Sequence, residues 1–366
     1  MSDSEPDEEL LSLLRQSLGI SGEPSSKSPA TGVLEGAQHI YHNSIDVALD
    51  TYGTKAAAAQ IWRLMQEKSY TFKTWSEHSL HPKGKDEATA NFIFLMDLLN
   101  FCFWSESSDP QQRFAVEYQG QRWTGYWSLV AAIHRALDED IPITTPSFWI
   151  TDTECTDDVL KHVFRSATPE LIPLLDERMT CIREAGRILM ENFNGSVPQL
   201  IHQAKQSSTA LVNLLVTNFP CFKDVATFEG RSVHFYKRAQ IFVADLWAAF
   251  EGQDLGRFHD IDTITMFADY RIPQMLHSLG CLRYSPSLES RIRNLNELES
   301  QGSWEVQLRG CSIWCVELIR KEIRRQHPKA EVNAILIDFF LYDTMKDREA
   351  DAVETIPHHR TRSIWY

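Results

Sequence analysis

Apolar positions recur along this chain mostly at intervals of three and four, the spacing that lines up side chains on one face of an α-helix. The fullest run follows Thr168-Pro169-Glu170, which offer a capping hydroxyl, a proline suited to the first helical position and an early acid. Leu171, Leu175, Met179, Ile182, Leu189 and Phe193 then repeat at helical spacing until Asn194-Gly195, with Pro173 still inside the permissive first turn. The same periodicity predicts helices over 56–67, 88–102, 126–137, 157–164, 237–250, 264–279 with a break at Pro273, 311–325 and 332–345. Strand signals are few: 114–123 around Gly120 reads as a hairpin, and 230–236 alternates as a short extended piece. The pattern predicts a mainly α protein, a single helical globular domain with small β-hairpins.

Residues 1–33 mix Asp and Glu with Ser, Pro and Gly, a composition that cannot bury enough apolar surface to offset its ordering entropy. A disordered acidic tail is expected there, with a short helix near 10–18, and residues 34–366 form the domain. With 366 residues, 43% of them hydrophobic, the chain can build a large core. Lys and Arg total 36 against 50 Asp and Glu, a formal charge of −14, so the molecule repels a nucleic-acid backbone. No stable nucleic-acid complex is expected, although a single phosphate needs only a few local donors.

The seven cysteines are an odd number scattered through apolar segments, which reads as reduced core thiols. Cys311 and Cys315 share a helix face but lack matched ligands, so no metal is expected, and no cofactor either. The opening MSDSEPDEELLSLLRQSLGI has neither the order of a secretory signal nor the Arg-rich character of a transit peptide, and no run is long enough to span a bilayer. The expected location is the cytoplasm, or the nucleus, away from membranes, and the expected state is a monomer.

Candidate chemistry is concentrated in EVNAILIDFFLYD, which sets Asp338 and Asp343 among apolar residues. Ionised carboxylates in such surroundings are costly unless paired, hydrogen-bonded or used. The two acids stand about 140° apart on a helix, so either a broad ligand touches both or one is structural, for instance paired with Arg320 or Arg324. Phe339 shares a face with Asp343, and Tyr342 with Asp338. A second cluster, Phe258-His259-Asp260-Ile261-Asp262, precedes an apolar segment. There Asp262 or Thr263 suits the N-cap of a following helix, which leaves Asp260 to accept ligand N–H groups and Phe258 either to stack on a heterocycle or to join the core.

Asp97, Asp245 and Asp269 also sit in apolar segments and read as structural partners of nearby cations or helix ends. Lys237-Arg238 could grip a phosphate or simply be solvated, and His78 and His81 could be ligand contacts or loop residues. Arg320, Lys321, Arg324 and Arg325 read as the wet face of an amphipathic helix. There is no G-x-S-x-G, P-loop or G-x-G-x-x-G, which removes the usual support for serine hydrolases, nucleoside triphosphatases and dinucleotide enzymes.

Eight strings carry a more specific signal: HSLHP with MDLLNFCFW, ALDEDIPIT, TFEGRSVHFYKRAQIFVAD, FHDIDTITMFADYRIPQML, RGCSIWCVELIR, NAILIDFFLYD and PHHRTRSIWY. In these the chain resembles the queuosine salvage protein family, the queuosine 5′-phosphate N-glycosylase/hydrolases. The resemblance covers nearly everything after the acidic tail. It implies a helical fold similar to the helix-hairpin-helix DNA glycosylases and an enzyme that hydrolyses the bond between ribose and the 7-deazaguanine base of queuosine 5′-phosphate. The product would be queuine, salvaged for tRNA modification. It also implies ligand contacts at His78, Phe258, Asp260, Asp338, Phe339 and Asp343.

That chemistry suits the residues. Cleavage builds oxocarbenium-like charge on the ribose, which Asp343 is expected to stabilise or attack. Asp338 would accept the guanine-like N–H donors, Asp260 would meet the secondary ammonium of the cyclopentenyl arm, and Phe258 and Phe339 would stack. His78 would contact the ligand at the pocket edge, and Lys237 is the candidate for the 5′-phosphate. Two other functions compete: a nonenzymatic helical interaction protein, in which the embedded acids are structural, and a glycosylase acting on intact nucleic acid.

Overall fold

The computed structural model describes residues 30–366 apart from 108 and 351–354; the expected tail up to residue 29, with its short helix, lies outside the described residues. The order is α1 (Val33–Asn43), β1 (Val47–Leu49), α2 (Thr51–Glu67), a 3-10 turn (Phe72–Glu77), α3 (Glu87–Leu98), β2 (Val116–Tyr118), β3 (Gln121–Trp123), α4 (Tyr126–Asp138), α5 (Asp157–Val163), α6 (Leu175–Phe193), α7 (Val197–Gln203) and α8 (Ser208–Asn218). It continues with β4 (Val225–Phe228), β5 (Arg231–His234), α9 (Lys237–Ala249), α10 (Arg271–Ser278), β6 (Leu282–Tyr284), α11 (Pro286–Arg293), α12 (Ser303–Gln326) and α13 (Ala334–Ala350). This is the mainly α architecture that the periodicity predicts.

Local chemistry starts these helices. Asp50, Asp86, Thr156, Ser196, Ser207 and Ser285 each accept a first-turn N–H at the head of α2, α3, α5, α7, α8 and α11. Each cap is worth about 1 kcal/mol. The strands form two-stranded antiparallel pairs, β1 with β6, β2 with β3, and β4 with β5. In the last, Glu229 and Gly230 both take positive φ, 45° and 72°, which matches the twist of a tight hairpin.

The core is built around α3 and α9, which pack on each other and are apolar on nearly every side. Phe94 of α3 meets Trp149, Phe219, Phe222 and Phe242 within 6.1 Å between ring centroids. The long α12 lies along α1 and α2. A Cβ on Gly310 would come within 2.4 Å of Ile40, so the close approach of α12 to α1 requires glycine there. All seven cysteines are free and buried.

Two predicted helices differ in ways that matter. The helix expected from residue 168 begins at Leu175, because its would-be first turn is tied to other chain segments. Thr168 donates to Arg113 O, and Glu170 accepts from Ser105 Oγ at 2.6 Å and Phe114 N at 2.7 Å. Residues 264–270 run outside any helix as a strap, and α10 starts only at Arg271, with Pro273 in its tolerant first turn. Gln240 Oε1 takes the Thr265 N–H at 3.0 Å, and Asp338 Oδ2 takes that of Phe267 at 2.9 Å, so side chains replace the helical acceptors.

Candidate active site

A cavity of about 650 Å³ opens where α13, the 264–270 strap, α9, the start of α4 and the 3-10 turn converge. Asn333 caps α13 through a 3.0 Å bond from Leu336 N, and the helix then presents Asp338, Phe339, Tyr342 and Asp343 to this space. Positions i, i+1, i+4 and i+5 make one broad helical face, so both acids reach the same cavity from its two flanks. The strap adds Phe267 and Asp269, with the Phe267 ring 5.9 Å from that of Phe339.

The acids differ in setting. Asp338 is buried; desolvation, followed by the charge of Asp269, lifts its pKa well above the usual value against the bond from Phe267 N. Asp269 is raised by burial despite bonds from Arg271 N at 2.8 Å and Ile272 N at 2.9 Å. Asp343 is exposed at the open side, where desolvation by the cavity walls raises its pKa and a 2.6 Å hydrogen bond from the Tyr70 hydroxyl opposes the rise. Tyr70 points there because α2 ends in a left-handed Ser69, with Ser69 N bonded to Gln66 O and Tyr70 N to Met65 O.

The opposite wall is aromatic. His78 stacks on Trp127 at 3.3 Å and His81 on Trp75 at 3.7 Å between centroids. Burial lowers the pKa of His78 to about 4 and of His81 to about 3, so both rings are neutral near pH 7 and present flat apolar faces. His81 is held by Trp75 O at 2.6 Å and the Tyr126 hydroxyl at 3.0 Å. Deeper still, Lys237 donates to Asn100 O at 3.0 Å, and Trp75 Nε1 donates to Asp245 Oδ1 at 3.0 Å. The cavity therefore combines facing rings with more acids than bases, a setting for a flat ligand rich in N–H donors or carrying a cation.

The family profile described as "Queuosine salvage protein" matches residues 80–366. The chain belongs to that family. Among relatives in the queuosine salvage protein family, the queuosine 5′-phosphate N-glycosylase/hydrolase of Schizosaccharomyces pombe is 44% identical over 347 residues, spanning 91% of this chain and 99% of its own. The mouse protein of the same name is 42% identical over 349 residues, 92% and 99% of the two chains. The namesake from Sphaerobacter thermophilus is 42% identical over 311 residues, 85% and 91%.

Of the positions that the resemblance to the queuosine salvage protein family implies, the structure brings together His78, Asp338, Phe339 and Asp343, and it adds Lys237, the candidate argued from its charge and helix position. It does not bring Phe258 and Asp260 there. Phe258 lines a separate cavity of about 520 Å³ with Lys205 and Arg257. Asp260 caps α8: its carboxylate accepts from Ser207 Oγ at 2.8 Å, Ser208 N at 2.6 Å and Thr209 N at 3.2 Å. Burial pulls its pKa up, and these bonds outweigh that and hold it down. The cavity instead receives Phe267 and Asp269, the same aromatic-x-acid pattern nine positions later.

Lys237, expected to reach a phosphate, is 4% exposed and points to a backbone carbonyl among acids; Arg238 is 1% exposed, so neither is solvated. Asp262 caps no helix and pairs with Arg324 at 2.7 Å, while Arg320 pairs with Glu317 at 2.7 Å, so neither arginine neutralises Asp338 or Asp343. No local pattern in the sequence marks Tyr70 or Trp75 as site residues. Among the described residues no cluster of His, Cys, Asp or Glu is arranged to hold a metal, and no helix is long and apolar enough to cross a membrane.

Proposed function

We propose that this protein hydrolyses the N-glycosidic bond of queuosine 5′-phosphate and releases queuine. The observation that carries the reading is Asp343 at the open side of the cavity that holds Asp338, Asp269, Phe267 and Phe339 further in. A nucleotide entering base-first would leave its ribose beside Asp343. Relatives over most of the chain's length bear the name of this activity, which supports the same substrate class.

Each group then has a task. The deazaguanine ring lies among Phe267, Phe339 and the neutral His78 ring. Its N–H donors face Asp338, and the secondary ammonium of its side arm faces Asp269, so ligand donors relieve the repulsion between two neighbouring acids. As the bond to the base breaks, the Asp343 carboxylate stabilises the positive charge growing at C1′ or attacks it, and water completes hydrolysis. Lys68 and Lys346, on the cavity lining near Asp343, are better placed for the 5′-phosphate than the buried Lys237.

The test is incubation of purified protein with queuosine, queuosine 5′-phosphate and queuosine-containing tRNA, followed by assay of free queuine. Release from the 5′-phosphate alone is expected. Release from tRNA alone assigns the cavity to intact nucleic acid, and no release from any of the three refutes the enzymatic reading.

A further inference from the structure

A pair of acids behind the cavity has no part in the reading above. Asp245 of α9 lines the inner wall, 2% exposed, and Asp97 of α3 lies against it with no exposure at all. One oxygen of each is occupied by a donor, Trp75 Nε1 on Asp245 at 3.0 Å and Asn100 Nδ2 on Asp97 at 3.3 Å. The second Asp97 oxygen is buried with no hydrogen-bond partner, and the two carboxyls lie near enough for each to feel the other. Two neighbouring carboxyls in a dry wall, one of them with an unpartnered oxygen, favour keeping one proton on the pair, since two ionised carboxylates would repel strongly there.

The other groups around the pair are Lys237 one helical stretch earlier on α9 with its neighbour Arg238, Asp338 from α13 and the Tyr126 hydroxyl from α4. Lys237 and Arg238 favour one ionised carboxylate, and Asp338 disfavours a second. Burial acts in the same direction, raising both acids. The arrangement therefore stores one proton at the wall of a cavity whose substrate has a poor leaving group. A 7-deazaguanine has carbon in place of N7, so its departure must be assisted by a proton placed elsewhere.

We propose that the Asp97–Asp245 pair holds one proton and that Asp245 delivers it to the departing base. This rests on the reading of the site as a queuosine 5′-phosphate hydrolase. The C1′–N bond breaks with both electrons going to the base, which takes the Asp245 proton on a ring nitrogen or its carbonyl oxygen. Water adds at C1′ and its proton leaves by way of Asp343 to solvent. Solvent then returns a proton to the pair, now doubly ionised beside Lys237.

The experiment compares wild type, Asp245→Asn and Asp97→Asn on queuosine 5′-phosphate and on 4-nitrophenyl β-ribofuranoside 5-phosphate, whose leaving group departs as an anion. Queuine binding and a melting curve check that each variant folds. Asp245→Asn should lower kcat on the nucleotide about 100-fold or more while staying within about tenfold of wild type on the nitrophenyl compound. In Asp97→Asn, Asp245 loses the neighbour that retains its proton, so the alkaline limb of kcat on the nucleotide should move to lower pH. Equal losses on the two substrates, or an alkaline limb unmoved in Asp97→Asn, overturn the proposal. A wild-type protein inert towards the nucleotide would instead refute the underlying function.

Discussion

The Tyr70 hydroxyl donates a 2.6 Å hydrogen bond to Asp343 Oδ2 across 273 positions of chain. It joins the end of α2 to the last helix and favours the ionised form of the acid that faces the ribose. Desolvation opposes it and holds the Asp343 pKa above the ordinary 3.8. Activity that needs this carboxylate should therefore fail on acidification at a higher pH than a free Asp would dictate. In Tyr70→Phe the opposing bond is gone, the pKa rises further, and the acid limb of kcat shifts upward. A kcat–pH profile reads the shift; a limb that stays in place would show that Tyr70 does not tune Asp343.

Asp338 and Asp269 are assigned to recognition, so their loss should appear first in binding. Replacing either by Asn removes a charge-assisted acceptor, worth about 1.5–3 kcal/mol, or roughly 10- to 100-fold in affinity. Titration calorimetry with queuine measures it. Unchanged affinity in both variants would place the base elsewhere.

Asp260 and Phe258 provide the contrast. Asp260→Asn weakens the cap of α8 and should cost about 1 kcal/mol of stability with kcat nearly unchanged. Because its folded pKa is depressed, this contribution is present above the ordinary carboxylate range and is lost as pH falls through the lower folded value. Phe258→Leu should leave KM and kcat close to wild type. Melting curves and kinetics together decide; a large loss of queuine affinity in either variant would return these residues to the site.

Arg309 anchors the strap that carries Phe267 and Asp269. Its Nε donates to Ala268 O at 2.9 Å, while its other nitrogens reach Asp224 at 2.5 Å and Glu305 at 3.3 Å. All three charged groups are buried. Arg309→Met would strand two acids in the core and should cost about 3–5 kcal/mol, measured by denaturant unfolding. A loss below 1 kcal/mol would mean that the strap is held chiefly by its other contacts.

These contrasts also mark what could be read along the chain. Helical periodicity located α9 and α13 to within a few residues, since their apolar faces are local, and EVNAILIDFFLYD exposed Asp338 and Asp343 as acids needing a use. The Phe-x-Asp pattern at 258–260 recurs nine positions later at 267–269, and distant partners decide which copy enters the cavity. Ser207, Ser208 and Thr209 claim Asp260, whereas Asp338 and Gln240 draw the later copy out of the expected helix and into the cavity. Tyr70 and Trp75 were illegible for the same reason: each acquires meaning only from an acid far along the chain.

The central claim is that Asp343 serves the bond-breaking step in a cavity that binds the base through other groups. Single-turnover release of queuine from queuosine 5′-phosphate by Asp343→Asn, alongside its affinity for queuine, tests this directly. Release should fall by at least about 1,000-fold while queuine still binds within about threefold of wild type. Near-normal release from the variant would contradict the account.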